Sequence, residues 1–211
     1  MTALLEPSRL TALLGPMRLQ RTAPDEPRHP RVLHDWLIVL GLLACYAAVQ
    51  SAFVRPPQPS DALHYFFDGA RLPATTWPAH QALRVGLTIP VWVLTRFFGY
   101  SEAAYYALPY LATAGLVVAT YWLGRLLDSR AAGTIAGVLV VANPFVLDDS
   151  SILLPDLPAA ALVTGAVTLL VWQWRRGDGS MILTRADRTV LIAVGVMLGW
   201  AYLMREFIVF C

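Results

Sequence analysis

The feature that most limits the folds open to this chain is a set of five long apolar stretches, at residues 36–54, 104–123, 131–147, 157–174 and 189–205. Charge is almost absent within them and collects between them. An α-helix of about 20 residues rises about 30 Å, the thickness of a bilayer's hydrocarbon core. Inside that core every backbone N–H and C=O must be paired within the protein, which leaves helices and closed barrels as the options. Glycine and other small residues recur in each stretch and suit close helix–helix contact in lipid. The expected fold class is therefore all-α, a polytopic membrane helix bundle. Composition agrees: 57% of the residues are hydrophobic and 14% charged, against roughly a quarter charged in soluble domains.

Residues 84–100 are the ambiguous segment, because Pro90 and Arg96 interrupt an apolar run too short to span. The arginines decide between two topologies. If this segment stays on one side and the amino terminus is cytoplasmic, the cytoplasmic side holds eleven of the sixteen basic residues, all arginine, among them Arg125, Arg130, Arg175, Arg176, Arg185 and Arg188. The outer side then keeps Arg55, Arg71, Arg84 and Arg96, with Arg205 at its boundary. A crossing at 84–100 would move the later arginine clusters outside, against the positive-inside rule. The expectation is thus an outer loop over residues 55–103 containing a juxtamembrane helix at 84–100, in a protein of the inner (plasma) membrane.

Residues 1–33, rich in proline and arginine and carrying the near-repeat TALLEPSRL and TALLGPMRL, are expected to form a disordered cytoplasmic tail. Residues 34–211 form the transmembrane part. Cys45 and Cys211 make no disulfide framework. The net charge of +2 gives no reason to expect a nucleic-acid partner; the partner that the composition implies is the lipid bilayer. No phosphate-binding glycine loop, zinc spacing or nucleophile elbow is present, which sets aside the soluble enzyme classes those motifs mark.

The topology places Asp61, Asp68, Glu102, Asp148, Asp149 and Asp156 together on the outer side. Carboxylates gathered beside a membrane can hold a divalent metal ion or position a base, although each alone can equally be solvated or cap a helix. Asp61 follows Pro59-Ser60 and Asp156 lies between Pro155 and Pro158, both settings that suit a helix start. Arg205 ends an apolar helix, where an ionisable group either serves function or snorkels to the interface.

Three stretches carry a resemblance: Pro59-Ser60-Asp61-Ala62-Leu63-His64-Tyr65 followed by Asp68-Gly69-Ala70-Arg71-Leu72; HQALRVGLTIPVWVLTRFFGYSE from His80 to Glu102; and Ala142-Asn143-Pro144 leading to Leu154-Pro155-Asp156-Leu157-Pro158. In this order and spacing, over about residues 34–210, the chain resembles the multi-pass glycosyltransferases of the protein O-mannosyltransferase and aminoarabinose transferase group, in the C-type glycosyltransferase superfamily. The resemblance implies a polyprenyl-phosphate-linked sugar as donor, an acceptor that it does not identify, and transfer on the outer membrane face. It implies a catalytic role for Asp61, a place for Asp156 in the same cavity, and a basic or imidazole group near the donor at His80, Arg84 and Arg205. A divalent metal shared by Asp61 and Asp156 would be an alternative to the arginines for neutralising the leaving phosphate.

Two departures qualify the resemblance. Ala62 follows Asp61 where many members carry a second carboxylate, and the chain stops at Cys211 inside an apolar stretch where members continue through further spans. The expectation is an N-terminal portion of such an enzyme, with an inactive fragment or a non-catalytic multi-pass protein as the alternative. Transport is disfavoured, since transporters place ionisable groups at mid-membrane and these spans have none there.

Overall fold

In the computed structural model the described residues are 29–57, 59–72, 84–176 and 184–205. Two compact units divide the chain, residues 1–33 and residues 34–211, and the helix bundle belongs to the second. Among the described residues all regular secondary structure is helical: α1 His29–Phe53, α2 Asp61–Ala70, α3 Val85–Phe98, α4 Glu102–Leu127, α5 Arg130–Val141, α6 Pro144–Asp149, α7 Asp156–Arg176 and α8 Arg185–Arg205. Residues 1–28 of the expected tail lie outside the described residues, and α1 begins within that tail, at His29.

Among the described residues four helices are long and apolar enough to cross a membrane: α1 (from Val32), α4, α7 and α8. The expected span at 131–147 is not one helix, and this corrects the expectation from hydropathy. Pro144 has no N–H to donate and biases the preceding Asn143 toward extended backbone, where it lies at ψ 117°. Helix α5 therefore ends at Val141, and α6 restarts with Pro144 in its first turn and the Asn143 side chain accepting from Phe145 N.

The interrupted stretch nevertheless covers the same distance as α1. At one end Arg130 Nε meets Asp35 Oδ1 at 2.7 Å. At the other, Ser150 and Ser151 bond Gln50, which lies roughly 22 Å further along α1. Helix α4 runs the opposite way, with Tyr121 donating to Asp35 and Tyr106 donating to the Arg55 carbonyl. Helices α7 and α8 continue the alternation: Arg175 reaches the Leu127 carbonyl, Gln173 bonds Asp187, and Arg205 meets Asp156.

Close packing depends on glycine at two contacts. A Cβ on Gly133 of α5 would stand 2.5 Å from the Tyr121 carbonyl oxygen, and one on Gly86 of α3 would stand 2.7 Å from Met204 N. Both neighbours are backbone, so neither can yield cheaply. Gly86 thereby lets α3 lie directly on the end of α8. Helix α3 runs unbroken through Pro90, burying Leu87, Thr88, Val91 and Thr95 and exposing Ile89, Val93 and Phe97. It has 14 residues and an apolar outward face, which suits a helix lying along the membrane boundary rather than crossing. Its C-terminus is set by Gly99 at φ 67°, a conformation few other residues adopt without strain.

Candidate functional site

The site is built on α2. Its apolar positions Ala62, Tyr65, Phe66 and Gly69 fall on one helical face and are buried against Leu87 and Val91 of α3, Ala104 and Tyr105 of α4, and Leu153. Burying that face holds Asp61 on the first turn, at the rim. Ser60 occupies the N-cap position without a side-chain cap bond, and Asp61 is the first helical residue. Asp61 stands one residue inside the N-cap, where its negative charge suits the positive end of the helix dipole. Asp61 is exposed.

Asp61 lines a cavity of about 470 Å³ together with Arg55, Ser60, Tyr105 and Ser151, and with Pro56, Ile152 and Leu154 on its apolar side. Arg55 pairs with Asp148, Nη2 to Oδ1 at 2.8 Å, between two partly exposed side chains. Ser151 is held from behind by Gln50, which donates to its Oγ at 2.6 Å while accepting from Ser150 at 2.7 Å. Gln50, Ser150 and Ser151 are all at least 96% buried, and the network's geometry is fixed by mutual satisfaction.

Next to the cavity stands Tyr65, 1% exposed. The Arg84 guanidinium carbon lies 5.4 Å from its ring centroid. Burial pushes the Tyr65 phenol up from its ordinary value, the Arg84 charge opposes that shift, and the Asp61 and Asp156 charges add to it. Tyr65 is thus a common neighbour of Arg84, Asp61 and Asp156. Among the described residues Arg84 has no carboxylate in ion-pair reach, and its Nε is buried without a hydrogen-bond partner.

Asp156 opens α7 and meets Arg205 of α8 at 3.4 Å, with the two side chains 47% and 64% exposed. A pair that open to solvent is worth at most about 1 kcal/mol. The fold therefore gathers Asp61, Arg84, Asp156 and Arg205 at the same end of the bundle. His80 lies outside the described residues. Asp156 faces the Arg205 guanidinium, and among the described residues no group of three or more His, Cys, Asp or Glu side chains gathers.

Sequence reasoning assigns no role to Tyr65 or Ser151 and reads Tyr105 as an interfacial belt residue, whereas the fold buries it. A signal exists for Tyr65, which is four residues after Asp61 and so shares its helix surface. None exists for Ser151 and Tyr105, which α4 and the segment after α6 bring together from 46 positions apart.

At the opposite end, Asp35 of α1 accepts from Tyr121 at 2.9 Å and from Arg130 at 2.7 Å, with Arg125 at 3.7 Å. The carboxylate is buried and bonded to both α4 and α5, so it clamps α1 against them.

The chain matches no protein-family model, no curated protein and no solved structure.

Proposed function

We propose that this protein is a membrane glycosyltransferase that moves a sugar from a polyprenyl-phosphate donor to an acceptor hydroxyl at one face of the bilayer. The observation that carries the reading is that Asp61 lines a cavity while the Arg84 guanidinium, without an ion-pair partner among the described residues, packs on the ring of Tyr65 one turn along the same helix, at one end of a bundle of apolar helices. Such an end is where a lipid tail can stay in the membrane while its phosphate reaches water.

In this reaction the acceptor oxygen attacks the anomeric carbon as the bond from that carbon to the phosphate oxygen breaks. Asp61 takes the acceptor's proton, and the electron pair leaves on the polyprenyl phosphate. Arg84 stabilises the developing phosphate charge, a task suited to a guanidinium fork. Arg205 is the weaker candidate for that task because it is paired with Asp156. The arginines at the far end, Arg125, Arg130, Arg175, Arg176, Arg185 and Arg188, favour a cytoplasmic position for that end and an outer one for the Asp61 end.

The test is consumption of a radiolabelled polyprenyl-phosphate sugar by membrane vesicles containing the chain. Asp61→Asn should abolish transfer while leaving the amount of protein in the membrane unchanged. Transfer retained by that variant would remove Asp61 as the base, and failure of the wild-type chain to bind any polyprenyl phosphate would remove the whole reading.

A further inference from the structure

At the Asp35 end of the bundle two arginines share one carboxylate, and they share it unequally. Arg130 Nε lies 2.7 Å from Asp35 Oδ1, whereas Arg125 Nε stands 3.7 Å from Oδ2. The longer contact exceeds hydrogen-bond length, and Arg125 Nε is buried without a hydrogen-bond partner. The Arg125 side chain is nevertheless 33% exposed. Asp128, between the two arginines in sequence, accepts from Ser129 Oγ at 2.9 Å, and no ion pair joins it to either of them. Among the described residues the group thus carries an excess of positive charge, centred on a loosely held guanidinium.

An apolar track leads away from that guanidinium. Trp122, Val118, Gly115 and Leu111 precede Arg125 at alternating spacings of three and four residues, which puts them on one stripe of α4. Leu111 is 64% exposed, and a Cβ on Gly115 would meet nothing within 4 Å, so the stripe is open along its length. Trp36 of α1 packs edge-on against Trp122, with ring centroids 5.7 Å apart, and is 46% exposed. Tryptophans sit at headgroup level in a bilayer, and Arg125 lies about 4.5 Å further out along the helix axis, in the phosphate layer. From Leu111 to Arg125 the stripe runs about 21 Å, the scale of one acyl chain.

We infer that Arg125, with Arg130 beside it, binds the phosphate of one anionic phospholipid whose acyl chain lies along this stripe of α4. A zwitterionic headgroup brings its own ammonium and leaves the excess charge uncompensated; an anionic headgroup neutralises it. The site is at the opposite end of the bundle from Asp61 and is independent of the proposed transfer.

The experiment is native mass spectrometry of the full chain in detergent, titrated with phosphatidylglycerol and with phosphatidylcholine of the same acyl chains. Wild type should retain one phosphatidylglycerol at least about fivefold more tightly than phosphatidylcholine. Arg125→Gln should bring the two lipids to near parity, and Arg125→Lys should restore most of the preference. Gly115→Leu, which touches none of the Asp35 contacts, should weaken retention of phosphatidylglycerol about threefold and keeps the test decisive if Arg125→Gln folds poorly. Arg188→Gln, a change at an exposed arginine of α8, should leave the preference intact. Equal retention of the two lipids by wild type, or a preference untouched by both Arg125→Gln and Gly115→Leu, overturns the inference. A preference lost equally in Arg188→Gln would mean diffuse surface attraction, and displacement of the lipid by millimolar inorganic phosphate would mean a site for phosphate alone; either result also overturns it.

Discussion

Trp200 of α8 donates its indole N–H to the carbonyl of Gly86 in α3 at 2.9 Å, and Pro90 is the reason that carbonyl is open to it. In an uninterrupted helix the Gly86 oxygen would accept from the N–H of residue 90, four positions on. Proline has none. The indole takes the vacant place, and Gly86 lets the two helices approach closely enough for it to do so. The proline that breaks the apolar run in sequence thus becomes, in three dimensions, an attachment point between a boundary helix and a span.

This relationship predicts a non-additive pair. Trp200→Phe leaves a buried carbonyl without a donor and should destabilise the protein by about 1–3 kcal/mol. Pro90→Ala restores the helical donor, so it should stabilise the Trp200→Phe background more than it stabilises wild type. Thermal unfolding of the four proteins in detergent gives the coupling directly; additive shifts would mean that Trp200 holds α3 by packing alone.

Asp35 carries a second prediction. Its side chain is 5% exposed, while those of Arg125 and Arg130 are 33% and 38% exposed and retain partial access to water. Removing the carboxylate charge by Asp35→Asn should therefore cost about 2–3 kcal/mol, below the 3–5 kcal/mol typical of a fully buried broken pair. The check is the detergent unfolding midpoint, together with the cross-linking yield of cysteines placed at exposed positions of α1 and α5. An unchanged midpoint would show that the clamp contributes nothing net.

Asp149 gives a pH signature. It lies outside the four long apolar helices, and burial, then the charges of Asp148 and Asp156, raise its carboxyl above the usual carboxylate value. A raised acid binds its proton more tightly in the folded state. The corresponding stability is present below about pH 4 and fades as pH rises through the folded-state value. Asp149→Asn should accordingly match wild type near pH 4 and become the more stable protein as pH rises toward 7. Melting curves across that interval test it, and a constant gap would exclude titration of Asp149 as the cause.

The two candidate phosphate cations are separable. Arg84→Gln should weaken binding of decaprenyl phosphate about tenfold or more, because it removes a guanidinium that has no ion-pair partner among the described residues. Arg205→Gln should change it less than about threefold, since that side chain is 64% exposed and shared with Asp156. Fluorescence or mass-spectrometric titration in nanodiscs distinguishes them; the reverse ranking would move the phosphate to the α7–α8 side.

Local chemistry is enough to determine that this chain folds as apolar helices. The lengths of the charge-poor runs, the serines before α4 and α5 and the proline at 144 are all written in consecutive residues, because a helix satisfies its own backbone and its limits depend on nearby groups. The same reasoning overruns at 131–147. Hydropathy continues through Asn143 and Pro144, but the hydrogen-bond ladder does not, and hydropathy alone does not register a missing donor. Other features arise from meetings between distant residues: Asp35 with Arg130, Gln50 with Ser151, Trp200 with Gly86, Tyr65 with Arg84. Their sequence separations carry no periodic signal, since the pairing follows from which helices pack side by side and at what height. Asp61 is recognisable as a candidate from its position after the first span. That it lines a cavity walled by Tyr105 and Ser151, with Arg84 lacking an ion-pair partner among the described residues and Arg205 engaged, was decided by tertiary packing, because only packing sets the distances over which charges and hydrogen bonds act.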